Sequence, residues 1–263
     1  MSRNPTTLTK GLSLKKMITP STLLAALAAL VLSAAAASAA CQATNFEGQS
    51  FTTCTATADQ DVRLFLMASD GQVFGSFGRV DAELGAAGQR LSFAMNAGMF
   101  HADRQPVGLY VEGETQAARL VTREGPGNFG MLPNGVFCIQ PDGFAVIESR
   151  TYAETSPDCP YATLSGPMLV IDGELHPRFL PHSTSFNYRN GVGVSDDGKT
   201  AMFVISDDEV TFHHFARFFR DVLGLNQALF LDGSISRLYA RDLGRSDWGL
   251  PMGPIVGLVQ PDG

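Results

Sequence analysis

Apolar residues along the chain recur mainly at the alternate spacing that is typical of β-strands. In residues 61–68, Val62, Leu64 and Leu66 point to one face and the residues between them to the other. Asp70-Gly71 is a turn signal, so this segment and residues 73–77 are predicted to form a hairpin. Short apolar runs bounded by Gly, Pro, Asn or Asp predict further strands at 91–95, 108–111, 135–139, 144–147, 168–171, 191–194, 201–205 and 228–231.

One segment follows helical spacing instead. Apolar residues at positions 212, 215, 216, 219, 222 and 223 fall on one helical face. Thr211 can cap the first turn and Gly224 can end the helix. One clear amphipathic helix at about 211–223 among many strands predicts an α+β fold, with a mixed, strand-rich sheet core and few helices. No period of 20–50 residues recurs, which excludes a solenoid or a propeller.

The first 40 residues have the pattern of a secretory signal peptide. Four basic residues and no acidic residue precede or flank an apolar run at 23–37, and the small-residue series 37–40 ends it. The run is shorter than the roughly 20 residues that span a bilayer. We therefore expect a signal peptide at 1–40, a single domain at 41–263, periplasmic or secreted localisation, and no stable membrane insertion.

Charge excludes one class of partner. Removal of residues 1–40 takes away four basic residues and leaves 15 basic and 26 acidic residues, a formal charge of −11. Nucleic acid is therefore not an expected partner, and no protein partner is inferred. A chain of this size fits one domain or two closely packed lobes.

Export would place four cysteines in an oxidising compartment, where an even number predicts two disulfides. Three pairings are possible, and we favour Cys41–Cys54 with Cys138–Cys159 because each closes a short loop. Metal ligation by these cysteines is disfavoured, since no C-x-x-C spacing occurs. Lipidation of Cys41 is an alternative, but Ser38 stands where a lipobox normally has Leu.

Four short segments end predicted strands in polar and Gly residues, where side chains can converge on a pocket. Each is also an ordinary turn sequence, so the spacing of these residues alone is weak evidence for a functional site. The segments are 93–100 (FAMNAGMF), 164–168 (LSGPM), 188–193 (YRNGVG) and 230–234 (FLDGS).

Taken together and in order, these segments resemble the phosphodiester glycosidase family, relatives of the enzyme that uncovers mannose 6-phosphate on lysosomal glycoproteins. The resemblance extends over residues 50–259 and is strongest to exported bacterial members. Further matching motifs are Phe74-Gly75-Ser76-Phe77, Pro106-Val107-Gly108, Gly125-Pro126-Gly127-Asn128-Phe129 and Pro133-Asn134-Gly135. The chain departs from the wider family at Ala97 and in the shorter spacing between Asp232 and Ser234.

The resemblance implies hydrolysis of a sugar-1-phosphodiester at the glycosidic bond, which needs a carboxylate near the anomeric carbon and a group that holds phosphate charge. Asp232 is the expected carboxylate and Arg189 the expected bidentate anion ligand. His213 is a candidate proton donor or substrate contact. The expected substrate-binding residues are Asn96, Gly98, Ser165, Gly166, His182, Asn190, Gly233 and Ser234.

Structural alternatives stay open for the three central residues. Asp232 can belong to a simple turn, Arg189 can pair with Asp207 or Asp208, and His213 can lie on a solvated helix face with Arg217 and Arg220. No H-E-x-x-H motif or EF-hand loop occurs, so neither a required metal nor a cofactor is predicted, and a structural cation stays an open alternative.

Two rival functions are considered. A serine hydrolase is disfavoured because G-x-S-x-G and S-x-x-K are missing from the sequence. A non-catalytic, envelope-associated glycan-binding protein is the stronger rival. Trp248 is the only Trp in the chain, so an open aromatic platform for sugar is not expected.

Overall fold

Strands dominate the secondary structure. A computed structural model describes residues 40–232 and 235–262. The strands, numbered in chain order, are β1 (Cys41–Phe46), β2 (Gln49–Thr57), β3 (Asp61–Phe65), β4 (Gln89–Asn96), β5 (Tyr110–Glu112), β6 (Thr115–Ala118), β7 (Gly135–Gln140), β8 (Gly143–Glu148), β9 (Tyr161–Ser165), β10 (Met168–Ile171), β11 (Glu174–Leu175), β12 (Asn190–Val194), β13 (Thr200–Ser206), β14 (Gln227–Asp232), β15 (Leu238–Ala240), β16 (Arg245–Ser246) and β17 (Ile255–Pro261).

The described strands form three sheets. A seven-stranded sheet has the order β1-β2-β13-β12-β14-β10-β11, and two five-stranded sheets have the orders β16-β15-β4-β17-β3 and β6-β5-β9-β7-β8. Side chains from all three meet in one large apolar core, which includes Phe93, Phe137, Phe203 and Leu229. The three sheets therefore enclose a common interior, and strand ends from different sheets come close together.

Alternation along β14 explains how that strand is buried on both faces. Leu229 and Leu231 point into the common core, whereas Ala228 and Phe230 point to the opposite face of the seven-stranded sheet. A strand covered on both sides reads as a continuous apolar run, which is the pattern of residues 228–231. Asp232 is the first charged residue after this run and ends the strand.

Helices cover the outer faces of the sheets. Helix α1 (Phe77–Ala86) packs on the sheet of β4 and β17 and is capped by Ser76, whose Oγ accepts from Arg79 N. Helix α2 (Ser149–Thr155) is capped by the Glu148 carboxylate. Helix α3 (Phe212–Arg217) begins after its cap, Thr211, and continues as a π-helical segment over Phe218–Val222 that covers the seven-stranded sheet. A short 3₁₀ turn lies at Arg241–Leu243.

The α+β class, the strand-rich core and the helix at about 211–223 are confirmed, but several details differ from expectation. Every strand pairing among the described residues is antiparallel, so the sheet core is not mixed. The hairpin at 61–77 is reduced to a bridge between Met67 and Val73, because Ser76 starts α1. Helices α1 and α2 were not predicted.

Both expected disulfides are present. Cys41–Cys54 joins paired positions of β1 and β2, and Cys138–Cys159 ties β7 to the chain before β9. Such bonds suit an oxidising compartment outside the cytoplasm. Within the described ranges, no helix is both long and apolar enough to cross a membrane. The signal peptide at 1–40 falls almost entirely on residues outside the described ones and stays a prediction, as does the domain boundary at residue 41.

Candidate active site

Two buried amides join two sheets at the end of β14. Asn96 ends β4, Asn190 begins β12, and neither is exposed. Asn190 Nδ2 donates to Asn96 O at 2.8 Å and to Asn96 Oδ1 at 3.1 Å, and Asn96 Nδ2 faces Asn190 Oδ1 at 3.3 Å. Two of the four segments singled out in the sequence therefore meet through this amide pair.

The amide pair also holds the main chain on both sides of residues 233 and 234. Asn190 Oδ1 accepts from Asp232 N at 2.9 Å, and Asn96 Oδ1 accepts from Arg237 N at 3.0 Å. Ser236 Oγ donates to Asp232 O at 2.8 Å. These bonds fix the strand end that carries Asp232 and the start of the segment that follows it.

The remaining segment reaches the same place from the third sheet. Ser165 ends β9, and its Oγ donates to Leu231 O at 2.7 Å, one residue before Asp232. Thr163 Oγ1 donates to Ala97 O at 3.0 Å. A Cβ on Gly98 would lie 3.1 Å from Thr163 Oγ1, so glycine allows this close approach. All four segments therefore meet around the end of β14.

Gly166 is required by packing. A Cβ at this position would lie 2.6 Å from the Cβ of Asn134, which is itself fully buried and accepts from Ser149 Oγ at 2.6 Å. Glycine therefore lets the chain turn between β9 and β10 against the Asn134 side chain. Gly166 is joined to Pro167 by a cis peptide bond.

Asp232 lies at the convergence point and is largely buried, with 6% of its surface exposed. It pairs with Asn190 across β14 and β12, and the register shifts between this pair and the next, Gly191 with Phe230. A β-bulge at a strand end often redirects a functional side chain. Gly233 and Ser234, both expected to bind substrate, lie outside the described residues.

Arg189 is buried beneath this strand end, with 1% of its surface exposed. Its Nε donates to Val210 O at 2.9 Å and its Nη2 to Ser185 O at 3.0 Å. Its main-chain N donates to Ser206 Oγ, and Ser206 N donates to its carbonyl. Two guanidinium nitrogens are thus committed to main-chain carbonyls, and Arg189 ties the 185–189 segment to the start of α3.

Aromatic rings complete the surroundings of Arg189. Its Cζ lies 3.7 Å from the centroid of Phe212 and 5.6 Å from that of Phe230. Phe212 stacks on Phe179, and Phe179 stacks on His176. Burial lowers the pKa of Arg189 to about 10, so it stays charged at neutral pH. Neither Asp207 nor Asp208 pairs with it; Asp207 instead pairs with Arg245, and Asp208 accepts from Ser50 N.

His213 lines a separate cavity, and His182 belongs to the 181–188 segment that forms part of the wall of that cavity. His213 is in the first turn of α3 and lines a cavity of about 420 Å³ with Pro181, Phe186 and Arg217. Burial, followed by the charges of Arg217 and Arg220, lowers the pKa of His213 below its usual value. His182 is exposed in a turn of the same segment.

A second cavity, of about 700 Å³, is lined by Ser236, whose Oγ donates to Asp232 O, and this bond connects the cavity to the end of β14. Its walls include Tyr188 and Ser236, which are joined through a hydrogen bond from Ser236 Oγ to Tyr188 O at 3.3 Å. Arg237 and Trp248 line it as well, and Trp248 is 91% exposed. Neither Ser236 nor Arg237 was expected at the site from the sequence, and Trp248 was noted only as the sole Trp of the chain. The signals for them were the position of Arg237 just after the FLDGS segment and the uniqueness of Trp248.

Donor clusters for a metal ion are not found in the described part of the chain, where no group of three or more His, Cys, Asp or Glu side chains converges. The polar atoms gathered around β14 are amides, hydroxyls, one carboxylate and arginines. Such a set suits an anionic, hydroxyl-bearing ligand.

Comparison with known proteins identifies the family. Residues 89–248, more than half of the 263-residue chain, match the phosphodiester glycosidase family. The matched range contains all four segments around β14 and also Arg237 and Trp248. The chain belongs to the phosphodiester glycosidase family, as the sequence motifs indicated.

Two individual proteins illustrate the relationship. An Escherichia coli K12 protein described as uncharacterized protein YigE is 33% identical over 180 residues, which are 68% of this chain and 70% of that protein. The catalytic domain of zebrafish N-acetylglucosamine-1-phosphodiester alpha-N-acetylglucosaminidase, in a form auto-inhibited by its pro-peptide, superposes with a TM-score of 0.54. That similarity covers 83% of this chain and 81% of the zebrafish chain at 14% identity, and it shows a shared fold.

Proposed function

We propose that this chain hydrolyses the glycosidic bond of a sugar-1-phosphodiester and releases a free sugar and a phosphomonoester. The observation that carries the proposal is the meeting of four separate segments around the end of β14, where Asn96 and Asn190 hold the main chain of Asp232. Membership of the phosphodiester glycosidase family supports the same reaction.

Asp232 is the proposed catalytic carboxylate. In the reaction the bond between the anomeric carbon and the phosphate oxygen breaks, and the oxygen of a water molecule becomes the new anomeric hydroxyl. The sugar passes through an oxocarbenium-like state, which a carboxylate stabilises or attacks. The leaving phosphate is already an anion, so it needs electrostatic stabilisation more than a proton.

Other residues around Asp232 are assigned supporting roles. Because the polar groups of Asn96 and Asn190 bond to each other and to the main chain, we assign these residues to positioning Asp232 and Arg237. Arg189 is assigned to positioning the 185–189 segment, with its buried positive charge favouring anions nearby. Contacts to substrate are assigned to the main chain at Gly98 and Gly166, the Ser165 region, and Gly233 with Ser234.

The histidines are given secondary roles. Burial lowers the pKa of His213 and so favours its neutral form, and we propose that it contacts distal parts of the substrate and does not supply a proton. His182 belongs to the same exposed segment and is proposed to border the bound substrate. Neither residue is needed for the leaving-group chemistry outlined above.

Export is proposed on separate grounds. The signal-peptide pattern of residues 1–40 and the two disulfides both fit a protein that folds outside the cytoplasm. Substrates would then be exported or cell-envelope sugar phosphates. Pulse-labelling of the full chain, with detection of a shortened product beginning at Cys41, tests this proposal; a product that keeps residues 1–40 contradicts it.

The activity is tested with a panel of p-nitrophenyl and nucleotide sugar-1-phosphodiesters, followed by release of reducing sugar. We expect turnover by the wild-type protein and a loss of at least about a hundredfold in kcat for Asp232→Asn. Asp142→Asn, at an exposed turn, is the matched control and should retain full activity. No turnover of any member of the panel, or equal turnover by Asp232→Asn, would contradict the proposal.

Glycan binding without hydrolysis is the second candidate. It is favoured by the exposure of Trp248 and of Tyr188, which is 50% exposed, at the cavity beside β14. Tyr and Trp are enriched at binding interfaces because they combine a large apolar ring with a polar group. Tight binding of a sugar phosphate with no release of reducing sugar would favour this candidate.

A further inference from the structure

We propose that the 700 Å³ cavity beside β14 is the leaving-group subsite, in which Arg237 binds the phosphate and Trp248 stacks on a ring of the group that leaves with it. This inference rests on the proposed function and adds to it a class of substrate: sugar-1-phosphodiesters whose acceptor carries an aromatic or other planar ring close to the phosphate. Cavities of about 300–1,000 Å³ are typical for small ligands.

Arg237 is the available cation in this cavity. Among the residues that the structure describes, no acceptor or carboxylate bonds to its guanidinium; its main-chain N donates to Asn96 Oδ1. It is partly withdrawn from solvent, and burial lowers its pKa against the opposing effect of Asp247. A partly desolvated guanidinium that keeps its donors can bind phosphate in a bidentate manner.

The other charges in the cavity are compensated. Arg245 pairs with Asp207 and with Asp247, at 2.9 Å from Nη2 to Asp247 Oδ2. Asp247 also accepts from Leu238 N at 2.9 Å, which fixes the loop. This network holds the cavity wall in place and leaves Arg237 as the group able to take on an anion. Arg189, which the sequence suggested for this role, is engaged with carbonyls beneath the strand.

Connectivity places the cavity next to the proposed catalytic carboxylate. Ser236, in the cavity wall, donates to Asp232 O, and Arg237 and Asp232 are both held by the Asn96–Asn190 pair. Gly249 allows Arg237 to lie flat against the main chain, since a Cβ there would lie 2.5 Å from Nη2. A phosphate at Arg237 would therefore lie on one side of the bond to be broken.

Aromatic side chains explain the preference for a ring. Trp248 presents nearly its whole side chain to solvent, and Tyr188, which also lines the cavity, is half exposed. An isolated exposed Trp has no role in the core, whereas a planar ring attached to a phosphate at Arg237 could stack on its face. Recognition would thus combine one charge contact with one stacking contact.

The unique Trp makes the test direct, because its fluorescence reports on this cavity alone. Phenyl phosphate and methyl phosphate serve as probes of the phosphomonoester product. We expect saturable quenching of Trp248 by phenyl phosphate and weaker binding of methyl phosphate. Arg237→Gln should weaken both by about 10- to 100-fold, the range that a charge-assisted hydrogen bond supplies. Arg178→Gln, at an exposed Arg, should leave both unchanged.

A calorimetric titration of Trp248→Phe and Trp248→Ala separates the two contacts. The Ala variant should lose the preference for phenyl over methyl phosphate and the Phe variant should keep most of it. Unchanged affinity in Arg237→Gln, with native circular dichroism, would overturn the subsite even if sugar-1-phosphodiesters are hydrolysed. Binding through Arg237 without any hydrolysis would support a phosphomonoester-binding site at Arg237 and Trp248 but refute both the proposed function and the leaving-group role.

Discussion

Replacing Asn190 by Ala should test how the site is held together. Asn190 Oδ1 satisfies the buried Asp232 N at 2.9 Å, and its Nδ2 satisfies the buried Asn96 O at 2.8 Å. Both groups would lose their partner in a region closed to water. At about 1–3 kcal/mol for each unsatisfied buried group, the loss is about 2–6 kcal/mol. That is a large share of the roughly 5–15 kcal/mol that stabilises an ordinary domain.

Urea unfolding followed by circular dichroism measures the loss, and kcat on a sugar-1-phosphodiester measures its effect on Asp232. Asn190→Asp keeps an acceptor for Asp232 N but places a buried carboxylate against Asn96 O, so at pH 7 its stability should be no higher than that of the Ala variant. Asn226→Ala, at an exposed Asn that bonds to Asp196, is the control and should change stability by less than about 1 kcal/mol. A loss below about 1 kcal/mol for Asn190→Ala, with unchanged kcat, would refute the positioning role.

Two further predictions concern stability. Burial raises the pKa of Glu112, so this carboxyl adds stability that is complete below its unfolded pKa and is lost as the pH rises through its folded pKa. Glu112→Gln, which keeps an acceptor for Tyr110 Oη and Leu66 N, should therefore raise the Tm at pH 7 and have little effect at pH 4. Reduction of Cys41–Cys54 or Cys138–Cys159, separated by 13 and 21 residues, should lower the free energy of unfolding by about 3 kcal/mol each while activity per folded molecule persists.

Each of the two stability predictions can be refuted by a specific result. A Glu112→Gln variant that is stabilised equally at both pH values, or destabilised at pH 7, would show that burial does not govern this carboxyl. Activity that disappears on reduction while circular dichroism stays native would assign a cysteine to the chemistry. Thermal unfolding at two pH values and urea titration with and without a phosphine reductant supply the measurements.

The central strands were predictable because both of their faces are buried, whereas strands such as β2 and β17 were not predicted. Runs such as 228–231 and 201–205 are continuous apolar stretches, and they are strands close to those bounds, β14 and β13. Helix α3 was predictable for a similar reason, since its apolar spacing, its Thr211 cap and Gly224 agree. Where local and tertiary preferences coincide, sequence patterns are reliable.

Helix α1 shows where the pattern fails. Phe74 and Phe77 read as the end of a strand, yet Ser76 caps a helix whose buried residues are Phe77, Val80 and Leu84. That spacing is helical, but it is short and interrupted by Gly78 and Gly85. The parallel or antiparallel direction of strand pairing could not be predicted from the sequence. Pairing partners that are far apart in the chain are set by sheet packing, which leaves no local signal.

For the site, the meeting of four segments was anticipated from the order of motifs, whereas the surroundings of individual residues were not. Arg189 was expected to face an anion, and its stacking on Phe212 with donation to Val210 O depends on contacts 21 residues and more away. Arg237 and Trp248 do not belong to any of the motifs recognised in the sequence. Their exposure beside the strand end is visible only once β4, β12 and β14 are brought together.

The most direct test of the central claim is hydrolysis of a sugar-1-phosphodiester in water enriched in ¹⁸O, with mass spectrometry of both products. Cleavage of the glycosidic bond predicts that the label enters the anomeric hydroxyl of the sugar, that the phosphomonoester is unlabelled, and that Asp232→Asn abolishes the reaction. Label in the phosphomonoester would show cleavage between phosphorus and oxygen, and the protein would then be a phosphodiesterase of a different mechanism.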